Sequence, residues 1–228
     1  MKINNVDIST YKAKLMNYNI SNASFEINNM WSNNTLSPFI YDKVSYKYKT
    51  LELKLDLLCK DLTELEKMKS KLIKDITISS IDLENSFIYT GFVTGTPSYE
   101  FIKEGNEIAT ITMLVLAERE EIKVTFNKKK NGTFNNKGTA ESPCIITITP
   151  TIGIVDLNFK INNNNIKIHA IGLNEVVTIS EKTITVNGAN KFNDVDIWEF
   201  PHIVPGTNVI ELDSQDCVVE IKYKPRFL

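Results

Sequence analysis

The densest acidic groups in the chain are Glu118, Glu120 and Glu121, and Asp194, Asp196 and Glu199. General acid–base or glycosidic hydrolysis needs carboxylates held at a defined separation. Neither group has that form. The first borders a stretch poor in apolar residues, and the second alternates with Val195 and Ile197, as the solvent-facing positions of a strand would. His169 lies in a strand-like run with Ile168 and Ile171, and His202 sits between Pro201 and Ile203. Two histidines without an HExxH spacing leave little material for a metal site or a Ser-His-Asp triad. Cys59, Cys144 and Cys217 are far apart and lack the paired spacings of zinc or redox motifs, so they read as reduced, mostly buried thiols. The nine glycines stand singly at turn positions and form no phosphate-cradling loop. These residues point away from an enzyme, and no metal or other cofactor is expected.

The balance of charge excludes a further class. Twenty-six basic and 28 acidic residues give a net charge of -2, with arginine only at Arg119 and Arg226. Such a chain has no electrostatic footprint for a phosphate backbone or an anionic membrane. No apolar run approaches the ~20 residues that span a bilayer, and Met1 to Asn5 lack the apolar region of a signal peptide. The expectation is a soluble protein made and kept in cytoplasm unless something larger carries it out.

The elements that would position these residues are strands. Apolar and polar residues alternate with period two along most of the chain, the mark of a strand with one buried face. Val44, Tyr46 and Tyr48 alternate, then the phase slips and Leu51, Leu53, Leu55 and Leu57 continue on the opposite parity; a long strand with a β-bulge near Lys49 and Thr50 accounts for the slip. Ile108 to Leu116 is a second long strand. Five shorter runs follow at close spacing: Ile145 to Thr149, Leu157 to Ile161, Ile166 to Ile168, Val176 to Ile179 and Thr183 to Val186. Asn162 to Asn165 reads as a hairpin turn, and Asn131-Gly132 as a linker turn or a hairpin tip. Such spacing predicts a sandwich.

One segment has helical period. Leu62, Leu65, Met68, Leu72 and Ile76 fall three or four apart, after Asp61 or Thr63 as N-cap with Glu64 or Glu66 three residues on. Lysines 67, 69, 71 and 74 read as its solvated outer face. Apolar content drops between Ala117 and Cys144, which places a domain boundary there, with domains 1–118 and 119–228. Asn28 to Pro38 reads as a long polar loop carrying Trp31. The fold class is mainly β: an N-terminal β domain with one helix, then a C-terminal β-sandwich.

The last third carries Trp198-Glu199-Phe200-Pro201-His202-Ile203-Val204-Pro205-Gly206-Thr207-Asn208 and a final alternating run through Tyr223 to Arg226, Phe227 and Leu228. Pro205-Gly206 forms a tight turn, Asn208 can bond its own backbone, and the last strand closes a sandwich. This order of motifs resembles the C-terminal domain of distal tail proteins of long-tailed phages, with Gly138, Thr139 and Pro143-Cys144-Ile145 similar to that domain's opening. The N-terminal half is similar to the family in layout.

The resemblance implies a structural virion protein at the tail tip. Its N-terminal domain would close into a homo-hexameric ring, its C-terminal sandwich would be galectin-like, and its partners would be the tail tube protein and the tail-tip or baseplate hub protein. A chain that is not basic suits a conduit through which DNA must pass without sticking. A closed ring needs two different complementary patches on each subunit. The helix, edge strands and the region of Trp31, Leu36, Phe39 and Tyr41 are the candidates. The C-terminal motif residues Trp198, Phe200, Pro201, Pro205, Gly206, Asn208, Tyr223 and Arg226 are structural on this reading, with Trp198 in the core. Two alternatives stand beside it: a carbohydrate-binding adhesion module making weak glycan contact through Trp198 and Phe200, and the equivalent ring component of a phage-tail-like bacteriocin.

Overall fold

A computed structural model of the chain describes residues 1–31 and 36–228, the side chains of 41–43 excepted. The chain divides into two compact units, residues 1–118 with residue 228, and residues 119–227. Both are mainly β.

The first unit contains β1 (Lys2–Ile3), β2 (Val6–Asp7), β3 (Ala13–Ile20), β4 (Phe25–Met30), β5 (Phe39–Tyr46), β6 (Lys49–Leu58), α1 (Leu62–Ile76), β7 (Ile78–Asp82), β8 (Ile88–Val93), β9 (Ser98–Lys103) and β10 (Asn106–Glu118). Its main sheet runs β2-β1-β7-β8-β10-β6-β3, and β9 also pairs with β10. Strand β10 is long enough to serve two neighbours on one edge: Asn106 to Thr110 face β9, and Met113 to Glu118 face β8. Its other edge takes β6, with Ile111 opposite Leu53. The alternating leucines 51, 53, 55 and 57 are all buried, as are Ala109, Ile111, Met113 and Val115.

Helix α1 begins where its cap residues dictate. Asp61 accepts a hydrogen bond from the Glu64 backbone N–H at 2.8 Å, and Glu64 reaches back to the N–H of Lys60 at 2.9 Å. The buried stripe is Leu65, Leu72 and Ile76. Not every lysine of the helix is solvated, however. Lys69 turns inward, within 2.8 Å of Glu66 and 2.9 Å of Glu107 and over the ring of Tyr99 at 4.2 Å. Burial acts to lower its pKa, but the two carboxylates outweigh that and leave it raised.

The parity slip at residues 49–50 is not a bulge. Residues 47–48 separate two strands: β5 pairs with β4 as a two-stranded sheet of its own, and β6 joins the main sheet. The phase changes because the chain changes sheets. Register irregularities do occur elsewhere, between Leu15 and Asn17 in β3 and between Glu26 and Asn28 in β4.

The second unit contains β11 (Ile122–Asn127), β12 (Asn131–Asn136), β13 (Ser142–Pro150), β14 (Ile154–Ile161), β15 (Asn164–Ile171), β16 (Val177–Ile179), β17 (Ile184–Val186), β18 (Ala189–Asn190), β19 (Val195–Ile197), β20 (His202–Ile203), β21 (Gly206–Leu212) and β22 (Cys217–Tyr223). One sheet runs β11-β22-β13-β16-β17-β18 with β20 beside β13, and the other runs β12-β21-β14-β15-β19. Their inward residues form one core that includes Ile146, Ile148, Val219 and Ile221 from the first sheet and Leu157, Phe159, Ile168 and Ile210 from the second. This is the β-sandwich that the short, evenly spaced runs predict.

Asn131-Gly132 is neither linker turn nor hairpin tip, because both residues lie in β12. Glycine is required at 132 for space: a Cβ there would stand 2.0 Å from the Phe126 ring. The hairpin turn after β14 is where asparagine predicts it, with Asn162 at φ 51°, in the left-handed region.

Candidate assembly and recognition surfaces

The hairpin of β4 and β5 pairs Phe25 with Tyr46, Asn29 with Ile40 and Met30 with Phe39. Neither strand pairs with any other among the described residues. Asn28 to Met30 are therefore strand, not loop. Residues 32–35 of the expected loop lie outside the described residues. Trp31, just past β4, is 61% exposed, and Leu36 is fully exposed. Phe39 is about half exposed, as are Phe25, Met30 and Ile40 beyond the residues the sequence singles out. Tyr41 stands opposite Asn28 in β5, with its side chain outside the description. A signal for part of the missed hairpin is present: Phe25 and Ile27 are apolar at strand spacing, with Glu26 and Asn28 polar between and after them. Because β4 is exposed along its whole length, no buried face sets it apart as a strand.

In the second unit the C-terminal motif residues do different jobs. Gly206 takes φ 81°, a conformation that favours glycine, just after Pro205. Asn208 is fully buried and fully used. Its Oδ1 accepts from the Val204 backbone N–H at 2.9 Å and from Asn162 Nδ2 at 2.9 Å, while its Nδ2 donates to the carbonyls of Val204 at 2.9 Å and Gly206 at 3.1 Å. The Pro201 carbonyl accepts from the Cys144 thiol at 3.3 Å. Burial pushes that thiol up to about 12, and burial together with Asp213 and Asp216 pushes Cys217 to about 11, so both stay protonated and weakly nucleophilic. Tyr223 donates to the Asn135 carbonyl at 3.4 Å, and Arg226 is bonded through its backbone to Ser142 Oγ at 3.1 Å. Phe200 packs against the core and lies 6.3 Å from the Phe192 ring.

Trp198 corrects the expectation. It is 100% exposed, not in the core. In β19 the inward positions are Val195 and Ile197, so Trp198 shares the outward parity of Asp196, and the chain bends at 198–199 before Phe200 turns back to the core.

Glu118 is buried, and Asp196 joins a clasp across three strands. His169 on β15 is held by Asp156 of β14 at 2.6 Å through Nδ1 and by Asp196 of β19 at 3.0 Å through Nε2. Lys167 adds a third contact to Asp156 at 3.0 Å. Hydrogen bonds to the two carboxylates raise the His169 pKa, and those from His169 and Lys167 lower that of Asp156.

Residues 137–227 match the family described as siphovirus-type tail component, C-terminal domain. No curated protein sequence matches the chain. Among solved structures, the fold is similar to that of the SPP1 Dit (gp 19.1) protein, described as a paradigm of the hub adsorption apparatus in phages that infect Gram-positive bacteria. The TM-score is 0.78 at 12% identity, covering 99% of this chain and 98% of that one. A chain of the phage P2 baseplate in its activated conformation is similar at TM-scores of 0.51 with calcium and 0.52 with strontium, at 12% and 13% identity, each covering 96% of this chain and 92% of the other. The family match falls on the same stretch as the motifs that carry the resemblance to distal tail proteins, and the fold likeness covers nearly all of the chain. The family match supports a phage tail component, and the likeness to solved structures shows the fold.

Proposed function

We propose that this chain is a structural component of the distal end of a phage tail, closing as a homo-hexameric ring that joins the tail tube to the tail tip or baseplate. The observation that carries the ring is the β4–β5 hairpin, a two-stranded sheet with no third strand among the described residues, which exposes Phe25, Met30, Phe39 and Ile40 on its strands and Trp31 and Leu36 just beyond them. An isolated hairpin is marginal in water, and subunits seldom leave so much apolar surface uncovered unless it meets a partner. A hairpin seated on a different patch of the next copy is a heterologous contact, the kind that closes into a ring.

Light scattering of the purified chain across a concentration series tests this. One discrete species of six 25.9 kDa protomers, about 155 kDa, is the expected result. The paired substitutions Phe39→Asp and Ile40→Asp should return it to monomer with circular dichroism unchanged. A hexamer insensitive to both would remove the hairpin from the interface, and a strict monomer in the presence of a tail tube protein would defeat the ring.

A second activity, weak contact with a host-surface glycan, is favoured by one observation: the tryptophan of the C-terminal motif faces solvent completely.

A further inference from the structure

We infer that the outer face of the sheet β14-β15-β19, ending at Trp198, is a binding site for a neutral hexopyranose unit, in which the sugar stacks on the indole and its hydroxyls bond to Asp196 and Lys167. The inference gives the glycan-contact reading above a location and a ligand class, and it rests on that reading. Its starting point is an imbalance in the sandwich. The two flanking residues of β19 turn inward to the core, yet the largest side chain of the segment is left entirely in water. Nothing in folding rewards that placement, since burying an indole removes far more apolar area from water than burying an isoleucine does.

The surroundings of Trp198 select the ligand. Two residues back on the same outward parity stands Asp196, directly opposite Lys167 in the neighbouring strand. Next to these is His169, locked between Asp156 and Asp196. The charges of this row are already matched to one another: Lys167 and His169 face Asp156, and His169 faces Asp196. An ionic partner would find no net field to recognise, which disfavours phosphate-rich polymers and strongly charged protein surfaces. Hydrogen-bonding capacity nonetheless remains. An ionised carboxylate offers about four acceptor sites and an ammonium three donors, and only part of this is used within the row. A flat aromatic two residues along the chain from a carboxylate acceptor, with an ammonium donor opposite that carboxylate, matches a pyranose, whose one face is C–H and whose rim is hydroxyl. The clasp adds rigidity, because a carboxylate held by His169 cannot swing away when a hydroxyl arrives, so less is lost in ordering the site.

The chain has tryptophan at positions 31 and 198 only. In a Trp31→Phe background, indole fluorescence therefore reports on Trp198 alone. Titration with chitotriose, maltotriose and lactose should shift the emission saturably for at least one of them, with a dissociation constant on the order of 1 mM. Trp198→Ala, followed by saturation-transfer NMR, and Asp196→Asn, followed by fluorescence, should each weaken binding of that sugar about tenfold or more, with the melting temperature unchanged for Trp198→Ala and the circular dichroism of Asp196→Asn that of wild type. Binding that survives both substitutions would overturn the placement and leave glycan contact standing elsewhere on the chain. No response to any of the three by either method would overturn both. If Trp198→Ala instead lowers the mass in light scattering, the indole belongs to a contact between copies and the site is refuted.

Discussion

The Lys69 ammonium of helix α1 lies 2.9 Å from the Glu107 carboxylate of strand β10, and both side chains are largely shielded from water. It is the one polar tie between the helix and the long strand on which the main sheet is built, among the ion pairs of the described residues. Removing one partner strands the other charge in a poorly solvated place, whereas removing both does not. A double-mutant cycle with Lys69→Met and Glu107→Gln, measured by urea denaturation, should return a coupling of about 1–3 kcal/mol. Simple additivity would show that water screens the pair.

Asn208 saturates its amide within the turn that it organises. Asn208→Ala leaves the Val204 N–H and carbonyl without their partner in a buried place and should cost about 3 kcal/mol. Asn208→Asp keeps the acceptor and loses the donor, so it should fall between Ala and wild type at neutral pH only if the new charge finds solvent. Chemical denaturation of the three proteins ranks them.

Two glycines of the first unit separate two causes of glycine preference. A Cβ at Gly91 would stand 1.9 Å from the Leu114 carbonyl oxygen across the β8–β10 pairing. Gly91→Ala should therefore force the strands apart, at about 1–3 kcal/mol. Gly95 has open space but φ 72°, so Gly95→Ala should lose only the left-handed preference, about 1 kcal/mol. Equal losses in thermal melts would contradict the steric account of Gly91.

The His169 clasp makes stability of the second unit depend on pH in a stated direction. The folded pKa of His169 is raised above its ordinary 6.5, so its contribution is complete below pH 6.5 and is lost as pH rises through the raised value. Asp156 is lowered below 3.8, so its contribution is present above that pH and is lost as pH falls through the folded value. Urea midpoints should favour wild type over His169→Gln at pH 5.5 and converge toward pH 8. A gap that does not change with pH would mean that His169 acts by packing alone.

Much of this architecture is legible in the residues, and the misreadings share a cause. Alternation identifies Ile108 to Leu116, the leucines of β6 and the short strands of the sandwich, because each has one wet face and one dry face. It reports only where side chains point, and so it could not distinguish a bulge near Lys49 from a change of sheet. At Trp198 the parity of β19 already points outward, and a core placement follows only if Trp198 is counted with Phe200, from which the bend at 198–199 separates it. The hairpin was the least legible element. Phe25 and Ile40 lie on strands wet on both faces, and only a partner outside the chain would restore the usual contrast.

That hairpin also bears on the kinetics of association. A ladder with no third strand among the described residues and with β4 exposed along its length opens easily, so its amides should exchange with solvent far faster than those of β6 or β10 in the free subunit. Ordering it on docking fixes backbone at a cost of roughly 1 kcal/mol per residue, which subtracts from the apolar gain at each contact. In the proposed ring, pairwise adhesion between subunits would then be weak and reversible, and only closure, where every hairpin is held at once, would make the assembly long-lived. A wrongly placed subunit could leave before the circle is complete.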